Sequence, residues 1–301
     1  MNIKKILPKY LMDYLRIQFY TKFGIHNQRE EISYIKSKFH FILGYHLNIE
    51  SPSTYNEKIQ WLKLFDRQER YTSLVDKYLV RDHIKKVLGE EYLIPLHGVF
   101  NSFDEIVLDD LPNSFVMKTN HGSGGVVVCK DKRLFDYELA KKTINSSLET
   151  DYYEYSREWP YKNVKRKIIV ENYIGGETVP EDYKIMCING KVDNIMVCTG
   201  RGAGNLRFYF FTPDWKFLKY QYVDKDLPND FTLPKPHNLK KMLQIAELLS
   251  KDIQFCRIDL YDANGKVYFG EITLYPDSGL DQDITYETDV LFGSKMKGIC
   301  G

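Results

Sequence analysis

The sequence has little net charge, few cysteines and no long hydrophobic run. Its 42 Lys and Arg residues nearly balance 41 Asp and Glu residues, for a net charge of +1, so bulk electrostatics predict no nucleic-acid partner. No segment approaches the length of a membrane-spanning helix. The five cysteines show no CxxC spacing, and four lie in apolar, strand-like runs. These features predict a reduced, cytoplasmic protein with buried thiols.

Motifs of common hydrolase classes are absent too. No His cluster, HExxH or GxSxG pattern is present, which argues against a zinc or serine hydrolase. The basic, aromatic N-terminus lacks the apolar core and cleavage site of a secretory signal. Its apolar residues could form a helical stripe, packed either on the protein's own body or on the anionic inner face of a membrane. The stripe and its basic flanks comprise Ile3, Ile6, Leu7, Leu11, Tyr14, Leu15 and Phe19, with Lys4, Lys5, Lys9 and Arg16.

The pattern of the remaining chain predicts an α+β fold with a helical beginning. A helix is predicted over residues 53–65, with Ser53 or Thr54 as its N-cap, and another over 76–88, ended by Gly89. From Leu93 onwards, short β-branched and aromatic runs joined as hairpins predict antiparallel sheets. The predicted strands cover 115–119, 126–129, 167–173, 183–188, 191–198, 208–212, 255–261 and 267–274, and further helices cover 137–150 and 239–250.

The most informative segment is a predicted β-hairpin near the end of the chain. Its first strand carries Arg257 and Asp259, and its second carries Glu271 and Thr273. Because alternate residues share a face, the loop decides whether the two pairs meet. We predict a three-residue loop ending at Gly265, which puts all four on one face with the carboxylates roughly 7–8 Å apart. A two-residue turn would separate them and remove the predicted site for a divalent metal and phosphate oxygens.

A glycine-rich turn is the second signal. The strand 115–119 contains Lys118 near its end and runs into this turn without the order of a P-loop and without a following helix. Backbone N–H groups of the turn and the Lys118 ammonium would hold phosphate. Glycine also occurs in ordinary hairpin turns, so the motif indicates a nucleotide only in combination with the acidic hairpin. The candidate residues of the turn are His121, Gly122, Ser123, Gly124 and Gly125.

Two later segments offer further nucleotide contacts. The strand and turn around residues 171–174 could present backbone groups to an adenine edge, or form an ordinary edge strand. Asp182 and Lys184 share a face of the next strand, where they could meet a ribose hydroxyl and a phosphate, or pair at the surface.

Three arginines are candidates for binding a carboxylate or an acyl phosphate through a bidentate fork. Arg257 stands beside Asp259 in the predicted hairpin. Arg201 and Arg207 flank a glycine-containing loop and could equally be solvated.

Together these motifs resemble the ATP-grasp superfamily. The segments YNEKIQWLKLFDR at 55–67 and VDKYLVR at 75–81 are similar to its TupA-like branch, named for teichuronopeptide biosynthesis, and the likeness runs from about Phe39 to about Gly279. The resemblance implies an ATP-grasp fold, in which two α+β subdomains with antiparallel sheets hold ATP and Mg²⁺ between them. It implies a helical region at 1–75 and a catalytic domain at 76–301, with a lid subdomain at about 112–172 and a metal-binding subdomain at about 173–292.

The resemblance also implies roles for single residues. Asp259 and Glu271 resemble the Mg²⁺ ligands, and Thr273 stands where many relatives have a ligating Asn. The implied nucleotide contacts are two phosphate-binding lysines, a lid loop, an adenine hinge and a ribose acid: Lys77 and Lys118, Gly122 to Gly125, Glu171, Asn172, Tyr173 and Ile174, and Glu177 or Asp182.

The implied reaction is ATP- and Mg²⁺-dependent ligation of a carboxylate to an amine through an acyl phosphate, with Lys118 and Arg257 at the reacting groups. The association of this branch with cell-surface polysaccharide implies a uronic acid or other glycan-precursor carboxylate, and a small amine or amino acid. Three alternatives stay open. One is an ATP-grasp kinase acting on a hydroxyl, another is a glycosyltransferase using Asp281-Gln-Asp283 as a DxD motif, and the last is a non-enzymatic binding module.

Overall fold

The N-terminal part of the chain is helical. The computed structural model describes residues 3–176, 179–201 and 204–299. Its first helices are α1 (Ile3–Phe23), α2 (Gln28–Leu43), α3 (Tyr55–Phe65), α4 (Arg70–Val75) and α5 (Val80–Val87). Thr54 is the N-cap of α3 and forms a capping box with Glu57, so one of the two predicted caps is confirmed. The predicted start of α5 at Asp76 is wrong, because the Asp76 carboxylate instead accepts the backbone N–H groups of Tyr78 and Leu79 in a turn.

A four-stranded antiparallel sheet follows. It contains β1 (Leu96–Phe100), β2 (Phe115–Thr119), β3 (Val126–Cys129) and β4 (Ile168–Asn172) in the order β1-β4-β2-β3. Helix α6 (Tyr137–Glu149) packs on it through the buried Ala140 and Ile144, which share a core cluster with Phe115, Met117 and Ile168. The helix covers one face of the sheet. Lys118 on β2 and Glu171 on β4 are therefore available for the functional site described below.

The second antiparallel sheet has six strands. They are β5 (Asp182–Ile188), β6 (Lys191–Thr199), β7 (Arg207–Phe211), β8 (Phe217–Leu218), β9 (Phe255–Ala263) and β10 (Lys266–Thr273), in the order β10-β9-β5-β6-β7-β8. Helix α8 (Leu239–Leu249) packs its buried Met242 and Ile245 into the same core as Ile185 and Ile258. Two short helices, α7 (Tyr152–Ser156) and α9 (Tyr286–Lys295), complete the described chain.

The eight predicted strands are all present, with ends shifted by at most about two residues. The sequence reading missed β1, whose polar His97 and flexible Gly98 interrupt the apolar pattern, and the two-residue β8. It also missed α7 and α9. The proposed subdomain limits stay a prediction, although β1 pairs with β4 and thereby extends the first sheet to residues before 112.

The predicted three-residue loop of the β9–β10 hairpin is wrong. Ala263 pairs with Lys266, leaving a two-residue turn in which Asn264 and Gly265 have φ of 54° and 74°, as in a type I′ turn. Such a turn alone would separate the predicted metal ligands.

A β-bulge at Gly270 reverses this effect. Phe269 pairs with Leu260, but Glu271 pairs with Asp259, so Gly270 is the extra residue on β10. The bulge returns Glu271 to the face that carries Asp259. The two carboxylates are direct neighbours across the ladder, rather than diagonal ones as predicted.

Replacing Gly270 with Ala tests whether this bulge fixes the register. A Cβ at Gly270 would lie 2.9 Å from the backbone oxygen of Asp259, so the two strands must move apart. We expect Gly270→Ala to lower the free energy of unfolding by about 1–3 kcal/mol in urea denaturation. Gly176→Ala is the matched control, because a Cβ there meets nothing within 4 Å. Equal stability of the two variants would contradict this account of the bulge.

Candidate functional site

A cavity of about 500 Å³ is lined by side chains from both sheets. The first sheet contributes Lys118 and Glu171, and the second contributes Asp182, Lys184 and the β9–β10 hairpin. Charged side chains, which we call the charged wall, and apolar side chains, which we call the apolar wall, both contribute to its lining. The apolar residues are Ile94, Val116, Val126, Val128, Ile174, Val179, Pro180, Met196, Leu206 and Phe208.

Arg257 is the centre of the charged wall. Its guanidinium donates to both carboxylate oxygens of Asp259, at 2.7 Å from Nε and 2.8 Å from Nη2. The same Nη2 lies 3.4 Å from Oε1 of Glu271 and 3.3 Å from Oγ1 of Thr273. The hairpin therefore brings its four predicted residues together on one face.

Asp182 and Lys184 extend this network on the neighbouring strand β5. Lys184 lies opposite Asp259 on the ladder, and its ammonium contacts that carboxylate. Nζ of Lys184 is also 2.7 Å from Oδ2 of Asp182, which Nη2 of Arg201 approaches to 3.2 Å. The other oxygen of Asp182, Oδ1, is buried and has no hydrogen-bond partner among the described residues. A ligand hydroxyl would satisfy it.

Lys118 lines the cavity from the first sheet, and its phosphate-binding role stays a prediction. Its Nζ is 2.6 Å from Oε2 of Glu171, whose Oε1 is 2.9 Å from Nη1 of Arg81. Glu171 is thus held between two cations. Sequence reasoning gave Arg81 no role, although Arg81 ends the motif at 75–81.

The segment before α5 anchors the glycine turn. The backbone N–H of Lys77 donates to the carbonyl of Asn120, and its Nζ donates to the carbonyl of Gly122, at 2.9 and 2.8 Å. Nζ of Lys77 is also 3.5 Å from Oε2 of Glu271. Lys77 therefore connects the turn with the carboxylate wall. Further predicted residues that line this cavity are Ser123, Gly124, Asn172, Tyr173, Ile174 and Arg201.

Other predicted residues lie elsewhere. Arg207 is exposed at the start of β7 and does not line the cavity, and Thr273 faces a neighbouring cavity. His121 and Gly125 line a small cavity of about 210 Å³ behind the turn, where burial lowers the pKa of His121. Glu177 lies outside the described residues. The roles proposed for these residues stay predictions.

A family model described as TupA-like ATPgrasp matches residues 57–297. The chain belongs to the TupA-like ATP-grasp family. This membership confirms the family resemblance and the predicted α+β fold with two antiparallel sheets. It supports an ATP-dependent ligase as the coarse assignment. A comparison with curated proteins found no match.

Similar solved structures include two D-alanine–D-alanine ligases. The ligase from Helicobacter pylori is 19% identical, with 81% of this chain and 69% of the ligase covered, at a TM-score of 0.45. The ligase from Bacillus anthracis complexed with ATP is 21% identical, with 76% and 65% covered, at a TM-score of 0.43. This TupA-like chain therefore spans about two thirds of their length.

The charges of the TupA-like site are fixed by their mutual contacts. Burial raises the pKa of Glu271, but the positive charges of Lys77, Arg257 and Lys184 outweigh it and lower the pKa to about 2. Burial lowers the pKa of Arg257, whereas Asp259 and Glu271 raise it by more, so its pKa is raised overall. Both groups stay charged at neutral pH.

The oxygen donors of the hairpin fit a magnesium ion that is bound together with phosphate. Among the described residues, no group of three His, Cys, Asp or Glu side chains has the arrangement of a metal site. Mg²⁺ is usually held by one or two carboxylates plus substrate phosphates. Asp259 and Glu271, paired across the ladder, supply such a set, and the Glu271 oxygens are 3.4 and 3.5 Å from their cationic neighbours.

A second cavity of about 490 Å³ adjoins the first. The two share five lining residues: Gly122, Ser123, Arg257, Glu271 and Asp277. Helix α2 contributes Lys38 and Ile42, and the other lining residues include the buried Glu158 and four tyrosines: Tyr152, Tyr155, Tyr161 and Tyr275. The sequence predicted no chemical role for residues 1–50. The structure shows that part of this region lines the second cavity.

No described helix combines the length and apolar character that crossing a membrane requires.

An acidic loop after β10 also reaches the first cavity, through Asp277, Asp281 and Asp283. Oδ1 of Asp281 accepts the backbone N–H groups of Asp283 and Ile284, at 2.9 and 3.3 Å. Burial, reinforced by the charge of Asp277, raises the pKa of Asp281 to about 7. The sequence signal for this loop was the DxD spacing, which was weighed only for a glycosyltransferase.

The raised pKa makes Asp281 a pH-dependent source of instability. The folded protein holds this proton more tightly than the unfolded chain, so stability falls as the pH rises from 3.8 to about 7. Asp281→Asn keeps the acceptor oxygen without the charge. We expect its stability relative to the parent to increase between about pH 5 and about pH 8 in thermal denaturation of the unliganded protein.

The matched control is Asp230→Asn, because Asp230 is an exposed carboxylate away from the cavity. It should show no such increase. A stability difference between Asp281→Asn and the parent that is the same at both pH values would contradict the assigned burial of this carboxyl group.

Proposed function

We propose that the protein is an ATP- and Mg²⁺-dependent ligase that joins a carboxylate to an amine through an acyl phosphate. One observation carries the proposal: two cavities of about 500 and 490 Å³ meet at a shared wall that contains Arg257 and Glu271. A ligase needs one site for the nucleotide and another for the compound it activates, with charged groups where the two meet.

The first cavity suits ATP in one orientation. Its apolar lining residues and the segment Asn172 to Ile174 suit the adenine base. The buried Oδ1 of Asp182, which has no hydrogen-bond partner in the described part of the chain, suits a ribose hydroxyl. The phosphates then extend toward Lys118, Lys77 and the glycine turn, where ammonium groups and backbone N–H groups favour negative charge.

Mg²⁺ held by Asp259 and Glu271 together with the phosphates would neutralise charge that develops on the transferred phosphoryl group. Lys77 and Lys118 line the same cavity, and their positive charges would also stabilise the negative charge on the phosphoryl group. The fixed charges of the hairpin cost no reorganisation during the reaction.

The reaction has two balanced steps. A carboxylate oxygen attacks the γ-phosphorus of ATP, the bond to the β–γ bridging oxygen breaks, and ADP leaves. The amine nitrogen then attacks the carbonyl carbon, inorganic phosphate leaves, and the nitrogen loses a proton. Arg257 lies in the wall between the cavities, where its guanidinium would bind the acyl phosphate and the oxyanion of the second step.

The second cavity is proposed to bind the compound that is activated. The ammonium of Lys38 and the guanidinium of Arg257 favour a carboxylate, and tyrosine rings offer apolar faces with polar edges that suit a sugar ring. A uronic acid or related glycan precursor, with an amino acid or small amine as the second reactant, fits this lining. We accordingly propose a role in cell-surface polysaccharide or cell-wall synthesis, in the cytoplasm where ATP is supplied.

The glycosyltransferase alternative is weaker than the kinase alternative. Asp281 accepts two backbone N–H groups within its own loop, so one carboxylate oxygen of the DxD motif already stabilises a turn. A kinase would use the same nucleotide cavity and transfer phosphate to a hydroxyl, and the product distinguishes it from a ligase.

Trapping with hydroxylamine tests the function without knowledge of the amine. The full chain is incubated with ATP, Mg²⁺, hydroxylamine and each of a set of uronic acids, with the parent neutral sugars as matched controls. We expect ADP, inorganic phosphate and a hydroxamate of a uronic acid by mass spectrometry, and none from the neutral sugars. A phosphorylated sugar without hydroxamate would overturn the ligase proposal in favour of a kinase.

In the same assay Glu271→Gln should lower turnover at least about a hundredfold, because it removes a negative charge that would hold Mg²⁺ beside the phosphates. The half-buried Glu247 on α8 pairs with Lys191 and lines neither cavity. It provides the control Glu247→Gln, which should leave turnover unchanged. Unchanged ADP formation in Glu271→Gln would remove Glu271 from the proposed metal site.

A further inference from the structure

Helix α1 is attached to the protein by one side. Its Ile17 and Tyr20 pack on the core cluster of α2 that contains Tyr34, Ile35 and Phe39. Nδ1 of His40 is 2.6 Å from the Asp13 carboxylate, and Arg16 donates to Ser37 at 3.0 Å. These contacts fix which side of α1 faces away from the body.

The side that faces away is apolar. Leu11, Leu15, Phe19 and Phe23 are four residues apart and form one row along the helix, and each is between 51% and 57% exposed. Met12 lies beside this row and is 57% exposed. We call these five residues the α1 outer face. Single exposed apolar residues are ordinary, but a contiguous row of large side chains marks an interaction surface.

The apolar surface continues onto α2. Tyr14, at the edge of the α1 outer face, contacts Phe41 with ring centroids 6.2 Å apart, and both rings are exposed. The surface therefore spans two packed helices and does not depend on the end of α1 alone.

The exposed charges in the described part of α1 have one sign. Lys9, Arg16 and Lys22 are exposed along the described part of α1. Asp13 is the single acid in the α1 sequence, and its carboxylate is turned toward His40. Hence no acidic side chain of α1 lies on the outer face.

This combination selects among possible partners. A second copy of the chain would bring one row of cations against another, with no carboxylate of α1 to pair with them. Even with Tyr14 and Phe41 included, the α1 outer face has fewer residues than the roughly 20–30 per side of a stable protein interface. A helix with an apolar row and basic flanks instead has the features of helices that lie in the interface of an anionic bilayer.

We propose that the α1 outer face binds the protein peripherally to a membrane surface containing anionic lipids. The helix lies parallel to the membrane plane, with its apolar row among the acyl chains and its lysines at the phosphate level. The proposal is independent of the reaction catalysed. It concerns where the enzyme works, because it places the chain beside substrates carried on or near a membrane.

Co-sedimentation with lipid vesicles tests this. The full chain should bind vesicles of equal parts phosphatidylcholine and phosphatidylglycerol, bind pure phosphatidylcholine vesicles much more weakly, and dissociate as salt is raised. The double variant Leu15→Glu/Phe19→Glu should lower the partition coefficient at least about tenfold, because it replaces two inserted side chains by charges. Lys22→Glu should lower it several-fold and weaken the salt dependence.

Leu134→Glu is the matched control, since Leu134 is 85% exposed on a different part of the surface. It should bind vesicles like the parent. The double variant should keep the parent's affinity for an ATP analogue, which separates this proposal from the proposed function. Unchanged vesicle binding by the double variant would overturn the proposal. Failure of the parent protein to bind either type of vesicle would also overturn it. A dimer of the parent protein that the double variant abolishes would overturn it as well.

Discussion

The bidentate ion pair between Arg257 and Asp259 is the interaction on which the rest of the site depends. Both side chains are buried, and buried charges are tolerated only when partners and hydrogen bonds replace water. Here Lys184 contacts the same carboxylate, and Arg257 also reaches Glu271. The network holds two carboxylates at one edge of the cavity in fixed positions, where phosphate and a divalent cation would meet them.

The register of β9 and β10 makes this network possible. The prediction that the four residues share one face was correct, but the three-residue loop on which it rested was wrong. The expected loop would have put Asp259 and Glu271 diagonally on one face, whereas the observed type I′ turn alone would have put them on opposite faces. A bulge at Gly270 compensates. Asn-Gly is a strong signal for the tight turn, so the turn was predictable. A bulge depends on pairing between strands and has no comparable local pattern beyond a glycine within a strand.

The same distinction holds elsewhere in the site: features set by neighbouring residues were predictable, and contacts between distant segments were not. Strand positions and the N-cap at Thr54 are local features, and they were predicted from apolar alternation and cap residues, with Thr54 as one of two candidate caps. Arg81 contacts Glu171, and the acidic loop around Asp281 lines the cavity. Both contacts arise from tertiary packing of segments that are distant in sequence, so the motif at 75–81 and the DxD spacing did not indicate them. Arg207 shows the converse, since a charge beside a glycine loop proved to be exposed. No individual residue of α2 was predicted to line the second cavity, because Lys38 resembles an ordinary surface lysine.

Helix α2 links the two proposals made for this chain. Its Lys38 lines the second cavity, and its Phe41 borders the α1 outer face. A membrane-bound α1 would therefore hold the acceptor side of the enzyme close to the bilayer. This arrangement gives a physical reason for a helical N-terminal region beside an ATP-grasp catalytic core.

A crystal structure of the chain with Mg²⁺ and a non-hydrolysable ATP analogue tests the central claim most directly. The account predicts a magnesium ion about 2.0–2.1 Å from oxygens of Asp259, Glu271 and the phosphates, with the adenine against the apolar wall of the first cavity. A nucleotide bound elsewhere, or carboxylates that remain paired with Arg257 and Lys184 and contact no metal, would contradict it.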